Sequence, residues 1–381
     1  MKILMINPSS DLYGANRILL TVLQKLSAQH SVTLYLPEEG PLSSFIRKND
    51  SGINLIIRPN MPLIGRKLNT IKGIIHTANS FRISFFYFRK EIKHYEPDIV
   101  YINTLAGFPM IFLFRLLQKK ILVHVHEILE TPRLITNIIN KYAVKWADQV
   151  ICVSEPVRQN LLLSVRDSKM TKKVAVILNG IDDKQQTISS KNNDKVIVTL
   201  IGRITRGKGI WFFLDTICLL PADMAAKCEF RIIGGPAPGR ENLIDTLQAD
   251  IAGHVYSSQI VFIQFMENIT PMLNETDILV VPSLMRESFP TTILEGLSAG
   301  KPVIATNTGG AIQSIASGVD GILIDAGDNV GFANHLAKMI ENPKVREVFG
   351  VKARQKFLAK FQVSRFQDDV AHFIDEKFPL S

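Results

Sequence analysis

The sequence predicts an α/β protein built from two doubly wound domains. Short apolar runs recur along the chain and alternate with helical stretches, the pattern of parallel sheets covered on both faces. The length, 381 residues, suits two or three domains. The alternation halts once, over a polar tract near the middle, and then restarts.

In the first half, Lys2 to Asn7 reads as a buried strand, followed by Pro8-Ser-Ser-Asp-Leu-Tyr-Gly14 and a helix from about Ala15 to Ala28. A glycine-bearing turn between first strand and first helix is where such folds bind phosphates, so Gly14 is a candidate contact. The full Gly-x-Gly-x-x-Gly pattern is absent, and a dinucleotide cofactor is not supported. Further strands are read at Ser31–Leu36, Ile53–Ile57, Asp98–Ile102, Ile121–His126, Gln149–Val153 and Val174–Leu178. Alternation along Val123-His124-Val125-His126-Glu127 puts both histidines on one face, with only His126 at the strand tip. His126 is therefore a candidate ligand contact, against the competing reading of an ordinary core or surface histidine.

Residues Leu63 to Tyr95 interleave Arg66, Lys67, Lys72, Arg82, Arg89, Lys90 and Lys93 with Ile71, Ile74, Ile75, Phe81, Phe85, Phe86, Tyr87 and Phe88. A basic, aromatic amphipathic helix predicts contact with an anionic membrane surface. The competing reading is a core-facing helix with a solvated basic face. Charge placement favours the first: residues 1–185 hold 25 basic and 14 acidic side chains, against 19 and 21 beyond. Nucleic acid is not expected, since no binding motif accompanies the charge.

Asn179-Gly180-Ile181-Asp182 reads as a turn, and Asp183 to Asp194 is polar without apolar rhythm. The boundary falls here, giving a first domain over 1–182 and a linker over 183–195. A second domain over 196–362 repeats the alternation: strand Val196–Ile201, helix Gly209–Leu220, strand Glu229–Ile233, helix Arg240–Ala252 and strand Ile260–Ile263. The unit from Ile278 to Ala311 follows. Pro282 stops its first strand, Pro290 suits the first turn of a helix over Thr291–Ser298, and Ala299-Gly300 ends that helix. Pro302–Thr306 is the next strand, Gly309-Gly310 opens a further helix, and Gly321–Ile324 is the last strand. Helices are read over Asn329–Ile340, Pro343–Phe361 and Ser364–Phe378. Two doubly wound domains joined by a hinge imply a cleft that opens and closes.

The three cysteines, Cys152, Cys218 and Cys228, all sit in apolar patterns, as expected of reduced structural thiols in a cytoplasmic protein. The apolar run at the N-terminus is too short for a signal peptide. The longest near-apolar run, Leu105 to Phe114, is broken by Arg115 and cannot span a bilayer.

Two constellations carry chemistry. Glu287 and Glu295 lie eight positions apart, roughly 12 Å if all were helical. That is wider than the about 5–9.5 Å of carboxyls that work on one bond. It suits two acids gripping opposite ends of a long polyhydroxylated ligand. Between them, the free N–H groups at the helix start near Pro290 favour an anion, and the Gly309-Gly310 loop offers further backbone donors. Hydroxyls at both ends with negative charge between describe a nucleotide-sugar. The alternative for Glu295 alone is a solvent-facing residue on an amphipathic helix. The second constellation is Gly202-Arg203-Ile204-Thr205-Arg206-Gly207-Lys208-Gly209, where Arg203 and Lys208 flank a glycine-rich turn as a diphosphate clamp. A basic surface loop is the alternative. Gly234-Gly235-Pro236 ends the next strand at the same edge. No Asp-x-Asp occurs, so a divalent metal in that common arrangement is not supported, and no cofactor is expected beyond a nucleotide-sugar co-substrate.

The spacing Glu287–x7–Glu295 within Pro-Ser…Glu-Ser-Phe-Pro…Glu…Gly-Lys-Pro-Val-Ile-Ala-Thr…Gly-Gly resembles the signature of the retaining GT-B glycosyltransferases of family four. The turn at Gly14, the His126 edge, Ser154-Glu155, Asn179-Gly180 and Arg203…Lys208 extend the resemblance over nearly the whole chain. It implies two Rossmann-like domains facing each other across a cleft, with the C-terminal helix (363–381) crossing back to the N-terminal one. It further implies metal-independent transfer of a sugar with retention, Glu287 on the sugar hydroxyls and Glu295 on the ribose. Arg203 and Lys208 would neutralise the diphosphate, helped by amides near Phe289, Pro290, Thr291 and Gly14, with His126 beside the transferred sugar. Three positions depart from the pattern: Tyr13 replaces a glycine, Gln264 stands where a glycine often ends the strand, and Gln313 where a glutamate often follows the Gly-Gly turn. The acceptor expected is a glycan or lipid-linked precursor of a cell-surface polysaccharide, met on the inner face of the membrane. A hydrolase or epimerase of nucleotide-sugars, or a non-catalytic partner of another transferase, are the rival readings.

Overall fold

The computed structural model describes residues 1–49, 52–64, 71–184, 194–236 and 239–379. Contacts divide it into two compact units, Met1–Gly180 with Val363–Ser381, and Ile181–Gln362. Most of the expected linker lies outside the described residues, as do Arg66, Lys67 and the side chains of Ile71, Lys72 and Ile74.

The first unit holds a seven-stranded parallel sheet of β1 (Lys2–Ile6), β2 (Ser31–Leu36), β3 (Asn54–Ile57), β4 (Ile99–Asn103), β5 (Ile121–Val125), β6 (Gln149–Cys152) and β7 (Val174–Val176). Their order is β3-β2-β1-β4-β5-β6-β7. Helices α1 (Gly14–Gln29), α2 (Pro41–Lys48), α3 (Ile71–Tyr95), α4 (Phe108–Leu116), α5 (Arg133–Trp146), α6 (Glu155–Leu162) and α7 (Ser168–Thr171) connect the strands. Parallel strands with helices on both faces bury both sides, which is why β1, β4 and β5 are near-continuous apolar runs.

One face of this sheet, with Ile3, Met5, Ile99 and Tyr101, packs on the buried stripe Ile18, Leu19, Val22, Leu23 and Leu26 of α1. The last helix of the chain, α16 (Val363–Lys377), joins the same core through Phe366, Val370, Phe373 and Ile374. It is tied down by Gln367 donating to the Thr21 carbonyl (2.8 Å), Arg365 donating to the Leu178 carbonyl (2.6 Å), and a Lys25–Asp368 ion pair.

The second unit repeats the topology in six parallel strands: β8 (Val196–Ile201), β9 (Cys228–Gly234), β10 (Ile260–Gln264), β11 (Ile278–Val281), β12 (Val303–Thr306) and β13 (Gly321–Ile324). Their order is β10-β9-β8-β11-β12-β13. In both sheets the order reverses beside the first strand, between β1 and β4 and between β8 and β11. Such switch points, at the carboxyl ends of the strands, are where ligands of these folds bind. The helices are α8 (Ile210–Ile217), α9 (Ala222–Ala225), α10 (Asn242–Ala252), α11 (Thr270–Glu275), α12 (Thr291–Ser298), α13 (Ala311–Ser314), α14 (Asn329–Glu341) and α15 (Pro343–Lys360).

The helix read over Gly209–Leu220 is found as α8, Ile210–Ile217, and Gly209, left-handed (φ 73°), separates it from a 3-10 turn at Arg206–Lys208. Cys218 is exposed at the end of α8, while Cys152 and Cys228 are buried as expected. The aromatic residues of α3 divide between core and surface: Phe88 is buried, Phe81, Phe85 and Tyr87 are half-buried, and Phe86 is exposed. Phe88 is fully buried against Tyr35 and Phe114, at 5.1 and 5.0 Å between ring centres, and Tyr87 carries the Arg58 guanidinium at 4.1 Å. Phe88 and Tyr87 cover Tyr35 of the sheet beneath α3.

Candidate functional site

The site is assembled from loops at the carboxyl edge of the second sheet. The loop after β8 runs through Arg203 and Lys208, and the loop after β11 runs from Pro282 through Glu287 to Pro290. They lie at the β8/β11 switch point and are stitched together: the Leu284 and Met285 amides both donate to the Gly207 carbonyl, at 2.9 and 3.2 Å. A Cβ on Gly209 would overlap the Pro282 carbonyl oxygen, so only glycine allows this approach. The loop after β9 joins through the Ile204 amide donating to the Gly235 carbonyl at 2.8 Å, which places Gly234 alongside.

Within this frame Lys208 and Glu287, 79 positions apart in sequence, form an ion pair between Lys Nζ and Glu Oε2, with side chains 20% and 13% exposed. The second carboxylate oxygen accepts from the Ser283 hydroxyl. Ser283 is in turn held through its carbonyl by the Thr306 hydroxyl at 2.6 Å. The clamp read from the sequence therefore includes a lysine already partnered by an acid. An ammonium has three protons to donate, and Glu287 occupies one direction.

Glu287 lies in the loop and only Glu295 in the helix, so the 12 Å axial-rise separation does not apply to the pair. The Gly309-Gly310 turn also differs from expectation. The Gly310 amide is used internally, donating to the Glu287 carbonyl at 2.8 Å, and Gly309 is left-handed (φ 52°) with no room for a Cβ beside that carbonyl. The turn props the acid loop rather than offering that N–H to a ligand. Pro290 is the N-cap residue of α12 and Thr291 its first residue, and no side chain caps this end. Side-chain oxygens do cap α6, through Ser154, and α14, through Asp328. Phe289 is buried against Phe361, at 6.0 Å between ring centres, and anchors the loop by packing. Arg203 is exposed and Glu295 half-buried.

At the carboxyl edge of the first sheet, Gly14 begins α1 with open space where a side chain would stand. His126 follows β5 and is half-buried, its ring 4.1 Å from that of His124. Burial lowers the His126 pKa to about 3, so its imidazole is neutral at physiological pH. Its Nε2 lies 3.0 Å from Oδ1 of Asn103. Beside it, burial raises the Glu127 pKa, partly offset by the backbone N–H groups of Leu105 and His126 and the Thr104 hydroxyl. The sequence reading missed Ser283, Glu127 and the asparagines around His126. The available signal was an asparagine ending each of two apolar strands, Asn7 after β1 and Asn103 in β4.

A surface feature belongs to the first unit. Helices α3, α4 and α5 are joined by an aromatic chain, Phe81 to Phe112 (5.6 Å), Phe112 to Trp146 (4.7 Å) and Trp146 to Tyr142 (4.9 Å). Outward from it stand Ile83 and Phe86 of α3, Leu116 of α4, and Leu134, Ile135 and Ile138 of α5, with Leu134 74% exposed. Arg82, Arg89, Lys90, Arg115, Arg133, Lys141 and Lys145 accompany them, and α5 has no acidic residue. Among the described residues no helix is long and apolar enough to cross a membrane.

Comparison with known proteins places both halves. Residues 181–356 match the model of the glycosyl transferases group 1, and residues 13–185 that of glycosyltransferase family 4. CapM of Staphylococcus aureus, a capsular polysaccharide biosynthesis glycosyltransferase, is 26% identical over 81% of this chain and 75% of its own. An Escherichia coli UDP-Gal:alpha-D-GlcNAc-diphosphoundecaprenol alpha-1,3-galactosyltransferase is 22% identical over 94% and 92%. The fold matches Anabaena Alr3699/HepE, solved in complex with UDP-glucose, with TM-score 0.80, 20% identity and coverage of 99% and 100%.

Proposed function

Because the chain belongs to the group 1 glycosyltransferases, we propose that it moves a sugar from a nucleotide-sugar to a glycan or lipid-linked acceptor, with retention and without a metal ion. The observation that carries this reading is the Lys208–Glu287 pair at the β8/β11 switch point, beside the uncapped start of α12. An ammonium and free helix amides suit a diphosphate, and a carboxylate suits sugar hydroxyls. Glu287 binds the donor sugar and Glu295 the ribose, while Arg203, Lys208 and the amides of Phe289 and Thr291, on either side of Pro290, hold the diphosphate. Gly234, Gly309 and Gly310 shape the loops that carry them. His126 and Gly14 are assigned to the sugar and the diphosphate on the family resemblance alone. The acceptor oxygen bonds to the anomeric carbon on the face from which the phosphate oxygen departs, and that oxygen takes the acceptor proton. Catalysis is then electrostatic stabilisation of a leaving anion, and neither glutamate is a nucleophile.

The test is a thermal-shift panel of nucleotide-sugars, UDP-hexoses first, followed by product analysis. A ligand of the native state raises the melting temperature, and a lengthened acceptor distinguishes transfer from hydrolysis or epimerisation. No shift with any nucleotide-sugar refutes the reading.

For the acceptor we propose a lipid-linked glycan in cell-surface polysaccharide assembly, reached from an anionic bilayer at which the protein is peripheral and cytoplasmic. Support comes from the apolar, basic face of α3, α4 and α5, and from the diphosphoundecaprenol acceptor named for the E. coli relative. Flotation with phosphatidylglycerol vesicles at low salt should carry the protein up. The triple variant Leu134→Ser, Ile135→Ser, Ile138→Ser should stay down, and equal flotation of the two would refute this face.

A further inference from the structure

His126 ends a ladder of amides whose hydrogen-bond polarity is fixed from its far end. Asn16 Nδ2 lies 2.9 Å from the Asp11 carbonyl oxygen, and Asn7 Nδ2 lies 2.6 Å from the Ser9 carbonyl oxygen. A carbonyl oxygen only accepts, so each of these contacts must be made by an amide nitrogen. That choice turns Asn16 Oδ1 toward Asn7 Nδ2 (3.0 Å) and Asn7 Oδ1 toward Asn103 Nδ2 (2.7 Å). Asn103 therefore presents Oδ1 to His126 Nε2 at 3.0 Å. Flipping any one amide would set oxygen against oxygen inside a buried network, where Asn7 and Asn103 are fully buried and Asn16 nearly so.

We propose that Asn103 is a positioning residue that holds His126 as the Nε2–H tautomer, so that His126 meets its ligand as a hydrogen-bond acceptor at Nδ1. The neutral ring donates at one nitrogen and accepts at the other. With Nε2–H committed to Asn103, the group that meets Nδ1 must itself donate. A sugar hydroxyl can do so, and a phosphate oxygen cannot. The ring thus selects for hydroxyl and against diphosphate, and it supplies no proton to a departing oxygen. The identity of the hydroxyl as a sugar's rests on the glycosyl-transfer reading; the tautomer does not.

The experiment uses the full chain with 15N-labelled histidine, the His126 signals being those lost in His126→Gln. At pH 7 the wild-type protein should show a protonated Nε2 and an unprotonated Nδ1. A protonated Nδ1, or a doubly protonated ring, overturns the proposal without any variant having to fold. Asn103→Leu should mix the tautomers and lower kcat/KM about tenfold, the worth of one ligand hydrogen bond. An unmixed Nε2–H pattern in folded Asn103→Leu overturns the role of Asn103. If the wild-type pattern is as stated but no nucleotide-sugar is turned over, the transfer reading fails and the ladder stands.

Discussion

Replacing Lys208 by methionine tests structure and chemistry together. Methionine keeps the stem without the ammonium, and Glu287 loses its cation while retaining the Ser283 hydroxyl. Breaking a fully buried ion pair costs about 3–5 kcal/mol because a charge is left without compensation. Here the side chains keep 20% and 13% exposure and one donor remains, which reduces the cost to roughly 2–3 kcal/mol. For a unit of this size that is on the order of 4–12 °C in melting temperature. Turnover should fall by about 100-fold or more, as for loss of one oxyanion donor. Adding Glu287→Gln removes the orphaned charge, and the amide oxygen still accepts from Ser283. The double variant should therefore regain most of the stability and none of the activity, with a coupling energy of about 2 kcal/mol. Calorimetry and steady-state assays on the four proteins measure both. A Lys208→Met protein that melts with the wild type, or a double variant that recovers turnover, refutes the assignment.

Three further outcomes follow from the geometry. Arg203→Ala should reduce turnover about 100-fold while shifting the melting temperature little, because the residue is exposed; near-normal rates would mean the diphosphate is held elsewhere. Gly309→Ala forces a side chain into a left-handed position against the Glu287 carbonyl, costing about 1–2 kcal/mol in conformation alone, and should weaken donor binding in a titration. Asp183 is held below the usual aspartate range, first by its hydrogen bonds from Arg354, one at 2.6 Å between Nη2 and Oδ2. Its contribution is present above the ordinary value of 3.8 and is lost as pH falls through the depressed folded value. Acid melts of the second unit should therefore flatten in Asp183→Asn.

What was legible in the sequence was whatever local pattern decides. Val196–Ile201 and Ile278–Val281 were readable to the residue because a strand buried on both faces leaves an unbroken apolar run. Thr291–Ser298 was readable because Pro290 and Gly300 mark its ends. The unreadable part is pairing. Nothing near Lys208 announces Glu287, and nothing near Gly310 says that its amide goes to the Glu287 carbonyl. The rings of α3 have the same spacing whether they meet lipid or a sheet, and only the sheet order puts Tyr35 and Phe114 under Phe88. Taken one by one, the three asparagines at 7, 16 and 103 give no sign of one another. Their ladder exists only because β1 and β4 are neighbours.

The first unit borrows α16 from the far end of the chain, and this orders the protein's birth on the ribosome. The second unit is one continuous segment and can close as soon as Gln362 has emerged. The first, although translated earlier, lacks the part of its core that Phe366, Val370, Phe373 and Ile374 supply until α16 arrives. A released chain truncated after Gln362 should hold a protease-resistant second half and a first half that proteases cut.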